Sequence, residues 1–297
     1  MKCDLCPRKC LVDRKKGEKG ICGQTENLKV ARAALHFWEE PCISGDAGSG
    51  AVFFSGCPLH CVFCQNENIA NGTVGKEISL ERLVDIFLEL QEKRANNINL
   101  VTPGHFVPQI VKALDQAKKE GLTLPVVYNT SSYETVETIK MLEGYVDIYL
   151  PDFKYMSPVL SKKYSHAPDY AQVAKAAIAE MVRQTGKAVF VNGDEDNLIL
   201  SGTIVRHLTL PGCMADSMQI LKYLHDTYGD KIYISIMNQF TPLSNLEKYP
   251  ELNRKITDEE YEALVDYAIE IGIENGFIQE GDTAEESFIP AFDCEGV

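Results

Sequence analysis

The sequence of 297 residues has no apolar run long enough to cross a membrane. A membrane-spanning helix needs about 20 mostly apolar residues. The opening residues, MKCDLCPRKC, also lack the apolar core of a signal peptide. These absences predict a cytoplasmic protein that does not bind membranes.

Basic residues are also few, with 29 Lys and Arg against 43 Asp and Glu and a formal net charge of −14. This balance argues against nucleic-acid binding by the whole surface. The charge is uneven, because residues 247–297 hold 15 acidic and 3 basic side chains, whereas residues 1–22 hold 7 basic and 3 acidic ones. We expect a solvated acidic surface at the C-terminal end. The basic N-terminal segment can offset the negative charge of a thiolate-bound metal.

Cysteine, in contrast, is plentiful, with ten residues. In a reducing compartment, such cysteines indicate metal binding or redox chemistry rather than disulfides. Seven of them form two groups, an N-terminal quartet of Cys3, Cys6, Cys10 and Cys22 and a central trio of Cys57, Cys61 and Cys64. The remaining three are interpreted as small buried apolar residues: Cys42, Cys213 and Cys294.

Short apolar runs alternate with amphipathic helical patterns after residue 50. Six runs are predicted to be strands: 51–55, 97–101, 125–129, 146–150, 204–210 and 231–237. They do not alternate polar with apolar residues, which is typical of parallel strands covered on both faces. Helix boundaries are indicated by an N-cap at Ser79, a stop at Gly121 and a capping box of Thr257 with Glu260.

Six strand–helix repeats with right-handed crossovers predict an α/β fold, a partial (β/α)6 TIM barrel. A full eightfold barrel typically takes about 250 residues, more than follow the trio. We divide the chain into a cysteine-rich, metal-binding N-terminal extension, 1–46, and a barrel domain with an acidic C-terminal region, 47–297. The trio and other polar segments follow the predicted strands directly, so we expect them to share the functional rim of the barrel.

The trio lies in SGCPLHCVFCQN with C-x3-C-x2-C spacing. Three thiolates can hold three irons of a [4Fe–4S] cluster and leave the fourth iron open. Alternatives are zinc with three cysteines and a water, zinc closed by His60, or a chance grouping of buried cysteines. The spacing and the position after a strand favour the iron–sulfur interpretation.

This segment resembles the signature of the radical S-adenosylmethionine (SAM) superfamily, C-x3-C-x-aromatic-x-C, with Cys57, Cys61, Phe63 and Cys64 at its positions. In that family the open iron binds the amino and carboxylate groups of SAM, and the reduced cluster cleaves SAM to methionine and a 5′-deoxyadenosyl radical. The resemblance implies a [4Fe–4S] cluster and SAM as cofactors. It also implies that Phe63 lies near the adenine.

Further segments resemble pyruvate formate-lyase activating enzymes, and most of all their uncharacterised homologues, over essentially the whole chain. IVRHLTLPGCMADS is similar to their fifth-strand region, and LPDFKYM to their Asp-x-Lys motif, here Asp152 and Lys154. YNTSS takes the place of their Asp-Thr-Asn-Gly segment, with Asn129 and Thr130 as counterparts. Because Asn129 replaces an aspartate, a monovalent cation site beside Asp152 is weakened.

TPGH, residues 102–105, replaces the family's Gly-Gly-Glu stretch. The resemblance then leaves the backbone carbonyls of Thr102 and Pro103 to contact SAM. His105 in the same loop is either a substrate contact or an exposed loop residue.

The resemblance gives the following roles. Asp152 holds the SAM amino group or a cation, and Lys154 meets the SAM carboxylate; the alternative is a surface ion pair. Arg206 clamps the SAM carboxylate or ribose, whereas the adjacent His207 faces away and is buried and hydrogen-bonded. Asn238 and Gln239 are further candidates at the end of the sixth strand.

The N-terminal quartet has C-x2-C-x3-C-x11-C spacing. Four thiolates close the coordination sphere of zinc or complete the ligands of a second iron–sulfur cluster. A second cluster could relay electrons to the first, whereas zinc would be structural. Disulfides are the third alternative.

We therefore predict a monomeric enzyme that cleaves SAM reductively and abstracts hydrogen, with a glycine of a partner glycyl radical enzyme as the first candidate substrate. Its electron donor would be a flavodoxin or ferredoxin. One alternative is a radical SAM enzyme acting on a small molecule or peptide. The other is a non-catalytic iron–sulfur or zinc adaptor or electron carrier.

Overall fold

The computed structural model describes residues 2–194, 197–242, 246–279, 290 and 292–297. Ten strands in these residues belong to one sheet. They are β1 Lys29–His36, β2 Ser49–Phe54, β3 Lys76–Glu77, β4 Ile98–Val101, β5 Val126–Thr130, β6 Ile148–Pro151, β7 Val189–Phe190, β8 Ile199–Leu208, β9 Tyr233–Met237 and β10 Gly276–Ile278.

The α-helices are α1 Pro41–Ser44, α2 Glu67–Ala70, α3 Leu80–Glu92, α4 Val107–Lys119, α5 Val136–Lys140, α6 Pro158–Ser165, α7 Tyr170–Thr185, α8 Met214–Tyr228 and α9 Asp258–Glu270. The predicted caps are confirmed: the Ser79 side chain accepts from the backbone N–H of Arg82, and Thr257 forms a capping box with Glu260. Helix α4 ends just before Gly121, whose φ of +107° breaks the helical path.

The strand order is β10-β9-β8-β6-β5-β4-β2-β1-β3, with β7 paired to β8. The strands from β2 to β10 along this order pair in parallel, while β1 pairs antiparallel with β2 and β3. In the described residues the sheet stays open between β10 and β3. The predicted partial barrel is confirmed, and its six strands are β2, β4, β5, β6, β8 and β9.

Burial explains why those six strands were recognisable. All residues of β2, β4, β5, β6 and β9 are buried, as is typical of parallel strands covered on both faces. Helices α3 and α4 pack on β2, β4 and β5 through Leu83, Phe87, Ile110 and Leu114. The short strands β3, β7 and β10 have two or three residues each, too few to show a pattern.

The boundary at residue 46 stays a prediction, although β1 crosses from the N-terminal side to pair with β2. Cys42 is buried, as predicted, with 4% exposure, but Cys213 and Cys294 are only partly buried, so the prediction for these two is wrong. Cys213 caps the start of α8, and Cys294 lies in a tail that hydrogen-bonds to β1.

Part of the acidic C-terminal region, Glu280, Asp282, Glu285 and Glu286, falls outside the described residues. Among the residues described, the helices are all too short or too polar to span a membrane.

Candidate active site

The central trio lies in the loop that leaves β2. Gly56 begins this loop at a φ of +93°, and a Cβ there would come within 2.4 Å of the backbone oxygen of Cys22, so the turn requires glycine. Cys57, Cys61 and Cys64 then line a cavity of about 250 Å³ at the carboxyl ends of the parallel strands. This is the functional rim that the sequence predicted.

The three cysteines are partly buried in the cavity wall. Burial raises the pKa of Cys57 to about 11 and also raises that of Cys61, although the ammonium of Lys154 opposes the latter shift. Ser165 Oγ donates to Cys61 Sγ at 3.0 Å, and Leu59 N to Cys57 Sγ at 3.4 Å. Bound cations would therefore be needed to keep these sulfurs as thiolates.

His60, the fourth ligand of the zinc alternative, is engaged elsewhere. Its Nε2 lies 2.7 Å from the backbone oxygen of Ile21. Across the residues that the structure describes, no three His, Cys, Asp or Glu side chains converge on a point where one metal ion would sit. A [4Fe–4S] cube takes each cysteine on a different iron, so the donor set of the trio fits that group.

Phe63, between the second and third cysteines, lines the same cavity and is 4% exposed. Three aromatic rings hold it edge-on, with centroid distances of 6.4 Å to Tyr155, 6.4 Å to Tyr164 and 5.9 Å to Phe240. This packing fixes the ring at the cavity wall. Its contact with adenine stays a prediction.

A buried ionic network forms the opposite wall, centred on Arg206 of β8. Its guanidinium donates to Asp152 Oδ1 at 3.0 Å, to Glu39 Oε2 at 2.9 Å and to Asn129 Oδ1 at 2.7 Å. Glu39 Oε1 in turn accepts from Asn99 at 3.0 Å and from Asn129 at 3.1 Å. The guanidinium of Arg206 in β8 thus links β5, the residue after β6 and the segment before α1.

Asp152 and Lys154 are part of this network, with Lys154 Nζ 2.7 Å from Asp152 Oδ2. Their side chains are only 15% and 16% exposed, so the alternative of a surface ion pair is wrong. Burial opposes the charged form of Asp152, but Lys154 and Arg206 outweigh it and hold its pKa below the ordinary value. Lys154 stays charged because Asp152 likewise outweighs burial and raises its pKa.

Glu39 is the site residue that sequence reasoning missed. It lies in HFWEEP, a segment to which the sequence analysis assigns no role. Two adjacent glutamates ahead of a helix-starting proline were the available signal, since Pro41 is the first residue of α1. Nothing in that pattern reveals that a guanidinium from β8 lies opposite.

Asn129 has both amide atoms occupied, the oxygen by Arg206 and the nitrogen by Glu39. The guanidinium of Arg206 thus contacts both Asp152 and Asn129, the residues between which the sequence analysis considers a monovalent cation site. Thr130 and Thr102 line the cavity, Thr102 with a φ of +55°. Pro103 is not among the cavity-lining residues of the described chain.

Two weaker candidates are placed differently from the prediction. At the end of β9, Met237 and Gln239 line the cavity. Asn238 between them does not, because successive side chains of an extended chain point to opposite sides. Its backbone N–H donates to Gln279 Oε1 at 2.9 Å. His105 is neither exposed nor a cavity residue, because it is 2% exposed and its Nε2 lies 2.7 Å from Ser55 O. Burial lowers its pKa to about 3.

His207 confirms the prediction of a buried, satisfied histidine. Its Nδ1 lies 2.8 Å from Phe153 O and its Nε2 2.8 Å from Ser217 Oγ. Burial lowers its pKa to about 4, so it is neutral at physiological pH. Arg206 alone of the adjacent pair lines the cavity.

The geometry agrees with a comparison of the sequence with protein families. The family model of the Radical SAM superfamily matches residues 51–196. This range begins within β2, includes the cysteine loop, Asp152 and Lys154, and ends shortly after β7. These residues form a radical SAM superfamily domain. Membership implies a [4Fe–4S] cluster and SAM as cofactors, which fits the open three-cysteine donor set.

The chain is also similar to individual proteins. The uncharacterized protein MJ0674 of Methanocaldococcus jannaschii is 27% identical over 272 residues, covering 90% of this chain and 74% of that protein. SuiB of Streptococcus suis, solved with its precursor peptide SuiA, has a TM-score of 0.52 at 12% identity over 76% of this chain and 47% of SuiB. Methylornithine synthase (PylB) has a TM-score of 0.51 at 13% identity over 80% of this chain and 75% of PylB.

This radical SAM chain thus spans about half the length of SuiB. At these identities the solved structures show the fold alone. They place the open parallel sheet described above among partial TIM barrels.

Behind the cavity wall of this radical SAM site lies a buried carboxyl group, Glu134. Thr130 Oγ1 donates to its Oε1 at 2.8 Å and Tyr128 OH at 3.3 Å. Burial raises its pKa from 4.5 to about 7, against these hydrogen bonds. The folded protein therefore favours the protonated, neutral form of Glu134. The contribution of this group to the free energy of unfolding is fully present below pH 4.5, and it is lost as the pH rises through about 7.

We expect Glu134→Gln to remove this pH dependence. When the pH is raised from 4.5 to 8, the wild type should lose up to about 3 kcal/mol more of its free energy of unfolding than the variant does. Anaerobic urea titrations of the reconstituted protein at both pH values measure it, with Glu137→Gln, an exposed residue of α5, as the matched control. A parallel pH response of Glu134→Gln and wild type would contradict the expectation.

Proposed function

We propose that this radical SAM enzyme abstracts hydrogen from a glycine Cα in a partner glycyl radical enzyme. The observation that carries the proposal is the combination of a cysteine-lined cavity with a sheet that stays open between β10 and β3 in the described residues. An opening at the side of a partial barrel admits a peptide loop, whereas a closed barrel interior is filled by side chains.

The residues of this chain would divide the work of binding. Cys57, Cys61 and Cys64 would hold the [4Fe–4S] cluster, and Lys154 would meet the SAM carboxylate. Asp152 already accepts from Lys154 and Arg206, but a carboxylate has about four lone-pair sites, so it can also accept from the SAM amino group. Phe63 would cover the adenine from its aromatic setting.

When bound, the cluster and SAM supply a one-electron reductive cleavage that yields methionine and the 5′-deoxyadenosyl radical. The protein keeps that radical from water, because aromatic and aliphatic side chains such as Phe63, Leu59 and Ile69 line the cavity. The bound group would thereby supply homolytic cleavage of the substrate C–H bond, with the hydrogen atom transferred to the 5′ carbon of deoxyadenosine. Arg206 donates to three side-chain acceptors, and these hydrogen bonds would hold its part of the cavity wall in place during the reaction.

Deuterium transfer tests the substrate class. Protein extract from the source organism grown on α-dideuterated glycine is desalted and incubated anaerobically with the enzyme, SAM and dithionite. Mass spectrometry of 5′-deoxyadenosine should show deuterium that depends on the macromolecular fraction. Extract labelled instead at the alanine methyl group is the matched control and should give none.

Two results would contradict the glycyl assignment. One is 5′-deoxyadenosine formation that the extract stimulates but that carries no deuterium from glycine. The other is stimulation by the low-molecular-weight fraction alone, which would favour a small-molecule substrate.

A further inference from the structure

Seven cysteines of this chain form two groups, and only the trio is required for SAM chemistry. The quartet Cys3, Cys6, Cys10 and Cys22 has no role in the site described above. The structure brings its members into one small unit. Cys3 hydrogen-bonds through its backbone N–H to Val12 O at 2.9 Å, and Leu11 N returns to Cys3 O at 3.0 Å.

Two sulfurs of this unit, those of Cys10 and Cys22, face a common space. A Cβ on Gly20 would lie 3.4 Å from Cys10 Sγ and 3.5 Å from Cys22 Sγ, so both sulfurs face the same glycine. Ile21 N donates to Cys10 Sγ at 3.2 Å. N–H groups directed at a cysteine sulfur stabilise a thiolate and tune the potential of an iron–sulfur site.

The quartet is joined to the trio on two sides. On one side, His60 Nε2 contacts the oxygen of Ile21 at 2.7 Å, which links the neighbour of Cys22 to the neighbour of Cys61. The backbone oxygen of Cys22 also lies directly against Gly56, the residue before Cys57.

On the other side, Arg8 lies between Cys6 and Cys10 in the sequence. Its Nε donates to Pro58 O at 2.8 Å, next to Cys57, and its Nη2 to Ser165 O at 3.0 Å. Ser165 is the residue whose hydroxyl donates to Cys61 Sγ. Two short hydrogen-bonded routes thus connect the two cysteine groups.

The outer side of the quartet is unlike the rest of this acidic protein. Leu11 and Ile21, next to Cys10 and Cys22, are 52% and 50% exposed. Lys9 and Lys19 are exposed and lie two residues from them in the sequence, in a segment with seven basic and three acidic side chains. A small apolar centre in a segment of net positive charge suits a weak, rapidly exchanging complex with a negatively charged electron carrier.

We propose that the quartet holds a second iron–sulfur cluster and is the port through which an acidic one-electron carrier reduces the SAM-binding site. The carrier loses one electron, the quartet centre gains it and passes it to the trio, and no bond is formed or broken. This rests on the proposed SAM chemistry at the trio. It adds a second redox site and assigns a docking surface: Leu11, Ile21, Lys9 and Lys19.

Metal content tests the redox site separately from activity. A variant with Cys57, Cys61 and Cys64 all replaced by alanine, reconstituted anaerobically, should keep about four irons and four sulfides per chain. Dithionite should give it an electron paramagnetic resonance signal that SAM does not change. One zinc per chain, or disulfides among the quartet in anaerobic protein, would overturn the proposal. If that variant does not fold, Cys10→Ser in the otherwise native chain should lower iron from about eight to about four.

Charge reversal tests the docking surface. In the fully reconstituted enzyme, Lys9→Glu with Lys19→Glu should slow cluster reduction by reduced flavodoxin by about tenfold or more at low ionic strength. The rate with dithionite, a small reductant, should not change. Lys231→Glu is the matched control, an exposed lysine at the amino end of β9, away from the rim.

Equal flavodoxin rates in the double variant and in Lys231→Glu would contradict the port. The two levels of proposal fail differently. Loss of the SAM reaction even with dithionite would refute the chemistry at the trio, whereas dithionite-driven SAM cleavage with an unaltered flavodoxin rate in the double variant refutes only the port.

Discussion

Replacing Cys57, Cys61 and Cys64 by alanine is expected to reduce 5′-deoxyadenosine formation from SAM and dithionite to the level of a protein-free control. The three thiols line the cavity at the end of β2 and are the only cysteines there among the described residues. Without them no cluster iron is presented to SAM, and neither the Arg206 network nor Phe63 can replace an electron donor.

The matched control is Cys213→Ala. Cys213 is also a free, partly buried cysteine, but it lies at the start of α8 and outside the cavity. It should retain wild-type 5′-deoxyadenosine yield. Undiminished product from the triple variant would refute the assignment of the trio.

The second large effect is expected at Asp152, which neutralises two cations at once. Asp152→Asn leaves Lys154 and Arg206 buried with one carboxylate fewer, so we expect unfolding to become easier by about 3 kcal/mol or more. SAM affinity should also fall about tenfold or more, because a charge-assisted hydrogen bond contributes about 1.5–3 kcal/mol. Lys154→Met should lower SAM affinity similarly while preserving the cluster absorbance.

The chain offers an exposed ion pair as a matched control. Lys187 and Asp230 lie 2.8 Å apart, close to the distance of the buried pair, but with side chains 67% and 73% exposed. Asp230→Asn should change stability by less than about 1 kcal/mol and leave SAM affinity unchanged. Urea titration and equilibrium binding of SAM measure both quantities. Equal, small effects of Asp152→Asn and Asp230→Asn would contradict the roles of Asp152 in stability and in SAM binding.

The central fold was accessible from sequence because its strands are buried on both faces. Runs such as INLV in β4 and YISIM in β9 carry no polar alternation, and each is followed by the loop that reaches the rim. The cysteine loop was accessible for a different reason. Its three cysteines lie in one short segment, so their spacing in the sequence is enough to predict that the thiols lie close together.

Residues that meet only in three dimensions were not accessible in the same way. Glu39 and Arg206 are 167 positions apart, and their 2.9 Å contact depends on the placement of β1 and β8 in the sheet. His105 looked like a loop histidine, but it is buried against Ser55 O at the base of the cysteine loop. Of the two candidates at the end of β9, Gln239 lines the cavity and Asn238 does not, because side chains alternate along an extended chain.

The most direct test of the central claim is electron–nuclear double resonance on the dithionite-reduced wild-type protein with SAM labelled by ¹⁷O in its carboxylate. If Cys57, Cys61 and Cys64 hold a cluster with one open iron, the label should show a strong hyperfine coupling to the cluster spin. The Cys213→Ala variant should show the same coupling. A reduced cluster whose spectrum is identical with and without labelled SAM would contradict the account.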